Sequence, residues 1–336
     1  MSTEAPTDPS VRLGWIDVAR GAGILLVVIG HVVIGLVDAG LAERDGPLAR
    51  LNAVVYTFHM PLFFFLAGLF MPQTVARGNA AVWRGIATRI AWPYLLWSTL
   101  QLLVMAAVGA NLNHEPSLSW PRWLALGWQP VSQFWFLHTL ALFHLFAWLL
   151  LPRVGSLGLV WAALALWMLP AWWALPPVLA NPCRFALFFA LGTLGLQMAG
   201  PVARTLPALL RTAGSMLAIG GCAVVGLAVQ ARGLIPWSPQ ALPAACLGTA
   251  GCLGGATLVR GPIERALAAL GRSSMAIYVL HILFASGTRV VLHRGAHVTE
   301  PALLFSASLF MGLAGPLLVE RGARRLDALR WLGLGR

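Results

Sequence analysis

Long apolar runs separated by short polar connections are the main pattern of this chain. A helix that spans a bilayer needs about 20 mainly apolar residues. Prolines and glycines lie in most of the connections, as expected where helices end. The pattern therefore predicts an all-α membrane protein, a bundle of about ten transmembrane helices, with spans at roughly 15–38, 51–72, 90–110, 132–151, 156–175, 183–199, 213–230, 240–259, 273–293 and 300–319.

The same pattern divides the chain into one membrane domain and two short tails. We predict an N-terminal tail over residues 1–14, a transmembrane domain over 15–319 and a basic C-terminal tail over 320–336. The longest predicted connection, roughly 111–131, is too short to hold a separate water-soluble domain. We therefore expect any chemistry to take place within the helix bundle.

Composition agrees with a membrane protein and changes the interpretation of the charge. Hydrophobic residues make up 59% of the chain, charged residues only 10%, and the mean hydropathy is +0.78. All 23 basic residues are arginines, and the formal net charge is +12. In a soluble protein this excess would suggest nucleic acid, but these arginines flank apolar runs, where they meet anionic lipid head groups. We therefore expect membrane lipids as partners and no nucleic acid.

The arginines also predict how the chain is oriented. With the N-terminus in the cytoplasm, the ten-span arrangement puts 16 of the 23 arginines on the cytoplasmic side and 7 on the other. Basic residues favour the cytoplasmic ends of spanning helices, so both termini are predicted to be cytoplasmic. The first apolar run carries Asp17 and Arg20 and is not followed by a signal-peptidase site, which indicates a retained signal anchor.

The cysteines do not indicate a metal site or a disulfide. They lack the CxxC spacing of zinc sites and lie in or beside apolar runs, as small packing residues do. They are Cys183, Cys222, Cys246 and Cys252. We expect no bound metal and no permanently bound cofactor.

The first predicted span carries three ionisable residues, Asp17, Arg20 and His31. Such groups are costly inside a bilayer unless they pair or face a wet cavity, so each is a functional candidate. Asp17 and Arg20 are three residues apart and can pair. Arg20 and His31 are eleven residues apart, about 20° beyond three full turns and about 16 Å along the axis. The helix therefore presents one polar stripe; the simpler alternative is a snorkelling arginine and a histidine bonded to a neighbouring helix.

The second predicted span and the approach to the third add further candidates. His59 enters its span from the outer side at a depth similar to that of His31, and Pro61 can kink this helix and free a carbonyl. Arg84 and Arg89 precede the third span. They are either ordinary positive-inside residues or ligands for the phosphates of an anionic donor, for which guanidinium groups are suited.

Taken together, these residues resemble the integral-membrane acyltransferase-3 family, which O-acylates cell-envelope polysaccharides and some small glycosides. Four segments carry the likeness, and their order and spacing extend over most of the chain: Asp17–His31 with its Arg-x10-His spacing, Phe58–Gly68, Phe134–Leu137 and Gly271–His281. Two features depart from the family pattern. The arginines before the third span are spaced Arg84-x4-Arg89 instead of Arg-x-x-Arg, and the second motif ends in Ala67-Gly68 instead of Ser-Gly.

The resemblance implies an O-acetyltransferase of the bacterial inner membrane. Its co-substrate would be acyl-coenzyme A, in particular acetyl-coenzyme A, and its acceptor a sugar or glycan, free or lipid-linked. An imidazole, with an ordinary pKa near 6.5, can act as the general base on such a hydroxyl. The implied roles are catalytic for His31, Arg20 and Asp17, donor-binding for Arg84 and Arg89, and cavity-lining for His59, Trp135, Tyr278 and His281.

Two other classes fit the same pattern. A proton-coupled transporter or flippase also has many spans with buried histidine, aspartate and arginine, although such folds tend to have two matching halves and none is evident in this sequence. A silent membrane partner that binds lipid-linked glycans is the other alternative. Acyl transfer by purified protein separates the enzyme from both.

Overall fold

The structure is a computed structural model, and it describes residues 14–108, 119–205 and 207–335. The predicted N-terminal tail therefore lies outside the described residues except for Gly14, as does part of the predicted 111–131 connection. The regular elements of the described residues are all helices. They are α1 (Gly14–Asp38), α2 (Pro47–Gly68), α3 (Met71–Ala76), α4 (Asn79–Ile86), α5 (Trp92–Val108), α6 (Trp120–Leu124), α7 (Trp135–Trp172), α8 (Pro177–Thr205), α9 (Ala208–Ala231), α10 (Leu242–Ala256), α11 (Gly261–Arg272), α12 (Ser274–Val290) and α13 (Pro301–Arg325), with short 3₁₀ and π-helical turns beside them.

Eight helical stretches in the described ranges are long and apolar enough to cross a membrane, which confirms an all-α membrane bundle. The difference from about ten predicted spans has two causes. The 38 residues of α7 cover two predicted spans and would measure about 57 Å if straight, but a non-helical Gly155 with φ of 66° divides them. The other cause is α10, whose 15 residues are fewer than a perpendicular span needs.

Helix α1 is at the centre of the bundle, in contact with α2, α10, α11, α12 and α13. Its crossing with α11 is a direct backbone contact, because a Cβ atom on Gly21 would lie 1.9 Å from the carbonyl oxygen of Leu267. A Cβ atom on Gly271 would likewise lie 1.8 Å from the carbonyl oxygen of Asp17. Glycine at both positions therefore allows α11 to hold the N-terminal end of α1, where Arg20 lies.

The end of the chain packs against α5. Helix α13 continues through the predicted boundary at 320, and the following turn places Leu334 in the core. The indole Nε1–H groups of Trp92 and Trp97 donate to the carbonyl oxygens of Trp331 and Leu332, both at 2.8 Å. Part of the predicted C-terminal tail is thus fixed to the membrane bundle.

Candidate functional site

A cavity of about 210 Å³ lies between α1, α2, the start of α7 and α12. Most of its lining side chains are apolar. The residues that line it are Arg20, Ile24, Val27, His31, Met60, Phe63, Leu66, Ala67, Gln133, Trp135, Phe136, Leu137, Leu140, Ser274, Met275 and Tyr278.

Arg20 and His31 both line this cavity, together with Ile24 and Val27 of the same helix. These four residues follow each other at spacings of three or four, which is the period of one helix face. The offset of eleven residues from Arg20 to His31 corresponds to about 16 Å along the axis. One cavity therefore contacts a cation near one end of α1 and an imidazole deeper in the bundle.

Asp17 lies beside Arg20 but not in the cavity wall. One of its carboxylate oxygens is 4.0 Å from a guanidinium nitrogen of Arg20, and the side chains of Asp17 and Arg20 are 24% and 34% exposed. A partly exposed pair at this distance is weak. Asp17 therefore neutralises the charge of Arg20 only weakly.

Three histidines lie close together with Tyr56. They are His31, His59 and His281. The ring centroids of His31 and His281 are 5.0 Å apart, those of His31 and Tyr56 are 6.4 Å apart, and those of Tyr56 and His59 are 4.6 Å apart. His59 and His281 are buried and are not among the residues that line the cavity. They lie behind His31 relative to the cavity.

Backbone carbonyls determine the tautomers of these two buried rings. The Nδ1 atom of His59 lies 2.9 Å from the carbonyl oxygen of Val55, and that of His281 lies 3.0 Å and 2.9 Å from those of Ile277 and Tyr278. A carbonyl oxygen only accepts, so Nδ1 carries the donated proton in each ring. The Nε2 atom of each neutral ring is consequently left with its lone pair.

Trp135 and Tyr278 lie in the cavity wall on α7 and α12. The hydroxyl of Tyr278 donates to the carbonyl oxygen of Gln133 at 2.7 Å, and its ring packs edge-on against Phe136 at a centroid distance of 5.6 Å. The Trp135 ring packs on Phe185, 5.5 Å between centroids. The contacts of Tyr278 hold the start of α7 against α12 at the cavity, and the contact of Trp135 holds it against α8.

Gln133 is a polar cavity residue that was not predicted from the sequence. It is only 3% exposed, its Nε2 donates to Oε1 of Gln101 at 2.9 Å, and its Oε1 is buried without a hydrogen-bond partner. A buried acceptor without a partner is costly, and a substrate donor in the cavity would satisfy it. The signal in the sequence is a glutamine directly before the Phe134–Leu137 segment, but an uncharged polar residue at the start of a span does not by itself indicate a site.

Arg84 and Arg89 lie elsewhere. Arg84 belongs to α4 and Arg89 to the π-helical turn Ala87–Ala91, and both side chains are exposed. Neither is among the residues that line the cavity. The structure therefore brings Arg20 and His31 together with Trp135 and Tyr278, but it leaves this arginine pair on the outside of the bundle.

The fold and the cavity define the class: a multi-pass integral membrane protein with a histidine and an arginine in one internal cavity. A family model described as an acyltransferase domain, that of the acyltransferase-3 family, matches residues 13–321. The chain therefore belongs to this family and is a membrane acyltransferase, which confirms the resemblance found in its motifs. No curated protein and no solved structure matched the chain.

Proposed function

We propose that this acyltransferase moves an acetyl group from cytoplasmic acetyl-coenzyme A to a hydroxyl of an envelope polysaccharide or glycoside, in the bacterial inner membrane. The observation that supports this most is that Arg20 and His31 line the same cavity. A donor held at one end can present its thioester to a base at the other. The acceptor approaches His31 either free or attached to a lipid.

His31 is the general base of the proposed reaction. Its neutral imidazole takes the proton of the acceptor hydroxyl while the hydroxyl oxygen attacks the thioester carbonyl, a contribution typically worth about 10²–10⁴ in rate. The new C–O bond gives an oxyanion, which a donor in a low-dielectric site stabilises better than water does. The C–S bond then breaks, and the thiolate leaves with the electron pair and takes the proton from His31.

The arginines are assigned to the anionic part of the donor. A ligand pocket that takes up a whole drug-sized molecule measures about 300–1,000 Å³, so a cavity of about 210 Å³ admits the acyl-thioester end and leaves the nucleotide outside. Arg20, oriented by Asp17, then binds the donor at the mouth. The exposed Arg84 and Arg89 attract its phosphates at the membrane surface, since guanidinium groups suit phosphate oxygens.

Purified protein incubated with radiolabelled acetyl-coenzyme A and envelope glycans tests the proposal. We expect label in the glycan with the unchanged protein and a loss of about 10²–10⁴ in rate for His31→Ala. His144→Ala is the matched control, because His144 is another histidine of the bundle but does not line the cavity. Its Nδ1 is instead bonded to a backbone carbonyl.

Two results would contradict the proposal. Unchanged transfer by His31→Ala would remove His31 as the base. Glycan movement across proteoliposomes without any acetyl transfer would favour a flippase instead.

A further inference from the structure

We propose that His281 is a positioning residue that accepts a hydrogen bond from His31 and so fixes which nitrogen of His31 acts as the base. The inference rests on the proposed function of His31. It assigns a specific role to a buried histidine that does not line the cavity, whereas the family resemblance implies only a cavity-lining role for it.

The ring of His281 is held in one orientation. The residue is 0% exposed, and its Nδ1–H donates to the carbonyl oxygens of Ile277 and Tyr278, one turn back on α12. Because both partners only accept, the proton must be on Nδ1. The Nε2 atom of His281 is therefore a hydrogen-bond acceptor.

This acceptor is buried and has no partner of its own in the described residues. Buried polar atoms without partners are uncommon and call for an explanation. The ring centroid of His31 lies 5.0 Å from that of His281, and the two ring planes are inclined at 53°. In the proposed arrangement the His31 side chain is rotated so that one of its ring nitrogens lies within hydrogen-bonding distance of Nε2.

The hydrogen bond has two consequences for the reaction. The nitrogen of His31 that donates to His281 keeps its proton, so the other nitrogen holds the lone pair that faces the cavity and removes the acceptor's proton. His31 then carries two N–H groups and a positive charge, and Nε2 of His281 stabilises this imidazolium. When the thiolate leaves, it takes the proton from the cavity-side nitrogen, and His31 returns to its starting tautomer while His281 is unchanged.

A pair of substitutions separates positioning from packing. His281→Gln retains an amide oxygen near the position of Nε2, whereas His281→Asn retains only a donor near the position of Nδ1. We expect kcat to fall about 10-fold or more in His281→Asn, within the about 10²–10⁴ attributable to the base itself, and clearly less in His281→Gln. KM for acetyl-coenzyme A should change little in either, because His281 does not line the cavity.

Nitrogen NMR of the ¹⁵N-histidine-labelled protein, at a pH where histidine is neutral, gives a readout that packing alone would not change. The signals of His31, one of eight histidines, are assigned by their loss in His31→Asn. We expect a single His31 tautomer in the unchanged protein and in His281→Gln, and both tautomers in His281→Asn.

The inference is overturned if His31 populates both tautomers in the unchanged protein, if Nδ1 of His281 lacks its proton, or if the two His281 variants lose kcat equally. The first two readings are made on the unchanged protein, with the signals of His31 assigned by their loss in His31→Asn and those of His281 by their loss in His281→Gln, so they hold even if His281→Asn does not fold. They also need no activity. Absence of acetyl transfer with the expected tautomers would therefore contradict the proposed function alone.

Discussion

The sequence predicts that two regions of the molecule contribute basic groups to one site. In the structure the residues of these two regions lie in different environments. On α1, Arg20 and His31 line the cavity. On α4 and the π-helical turn after it, Arg84 and Arg89 are exposed. Arg20 and His31 share one face of one central helix, so the period of the helix determines the direction of one side chain relative to the other. The position of the second pair relative to the cavity depends on how α4 and α5 pack, which sequence spacing does not specify.

Gly21→Val tests the region of α1 and should have the largest effect. A Cβ atom there would overlap the carbonyl oxygen of Leu267 at 1.9 Å, and a backbone atom cannot yield without moving α11. We expect a large drop in thermal stability in detergent and loss of acyl transfer. Gly35→Ala is the control on the same helix, because its Cβ atom would make an ordinary contact at 3.6 Å with Arg289. Equal melting temperatures for the two variants would contradict the close crossing of α1 and α11.

Arg20→Ala should have the next largest effect, and it should act on donor binding. A hydrogen bond to a charged group contributes roughly 1.5–3 kcal/mol, so we expect KM for acetyl-coenzyme A to rise about 10- to 100-fold with a smaller change in kcat. The KM of Arg20→Lys should lie between those of the unchanged protein and Arg20→Ala, because lysine keeps the charge but not the forked geometry. Steady-state kinetics with varied acetyl-coenzyme A gives both values. A fall in kcat at constant KM would instead assign Arg20 to the chemical step.

The single variants Arg84→Ala and Arg89→Ala should each have the smallest effect. Exposed charge pairs contribute about 0–1 kcal/mol, so KM should rise by no more than about 5-fold and kcat should remain unchanged. The rise should shrink as salt is added, because exposed charges are screened within about 10 Å at 0.1 M ionic strength. A rise as large as that of Arg20→Ala would mean that the exposed arginines form the main donor site.

The sequence predicted most of the spans because each depends on a long apolar run. It did not predict α11, whose 12 residues are too few for a span and which is held by a glycine crossing with α1. Nor did it predict that Trp92 and Trp97 bind the end of the chain. These features depend on contacts between segments distant in sequence.

The candidate site likewise has features that the sequence predicts and features that it does not. The common direction of Arg20 and His31 followed from helix geometry alone. The distance between His31 and His281 follows from the packing of α1 against α12, which no local pattern specifies. The importance of Gln133 depends on its burial and on the bond from its Nε2 to Gln101, and both are visible only in three dimensions.

Cysteine labelling at position 31 tests most directly whether the cavity joins the donor mouth to His31. His31→Cys is treated with a small thiol reagent in native membranes, and mass spectrometry of the peptide reads modification at that position. Val28→Cys is the control, because Val28 lies one turn away, is 0% exposed and does not line the cavity. We predict modification at position 31, slowed by coenzyme A, and none at position 28. Labelling at position 31 that coenzyme A does not slow, or no labelling there, would contradict the account.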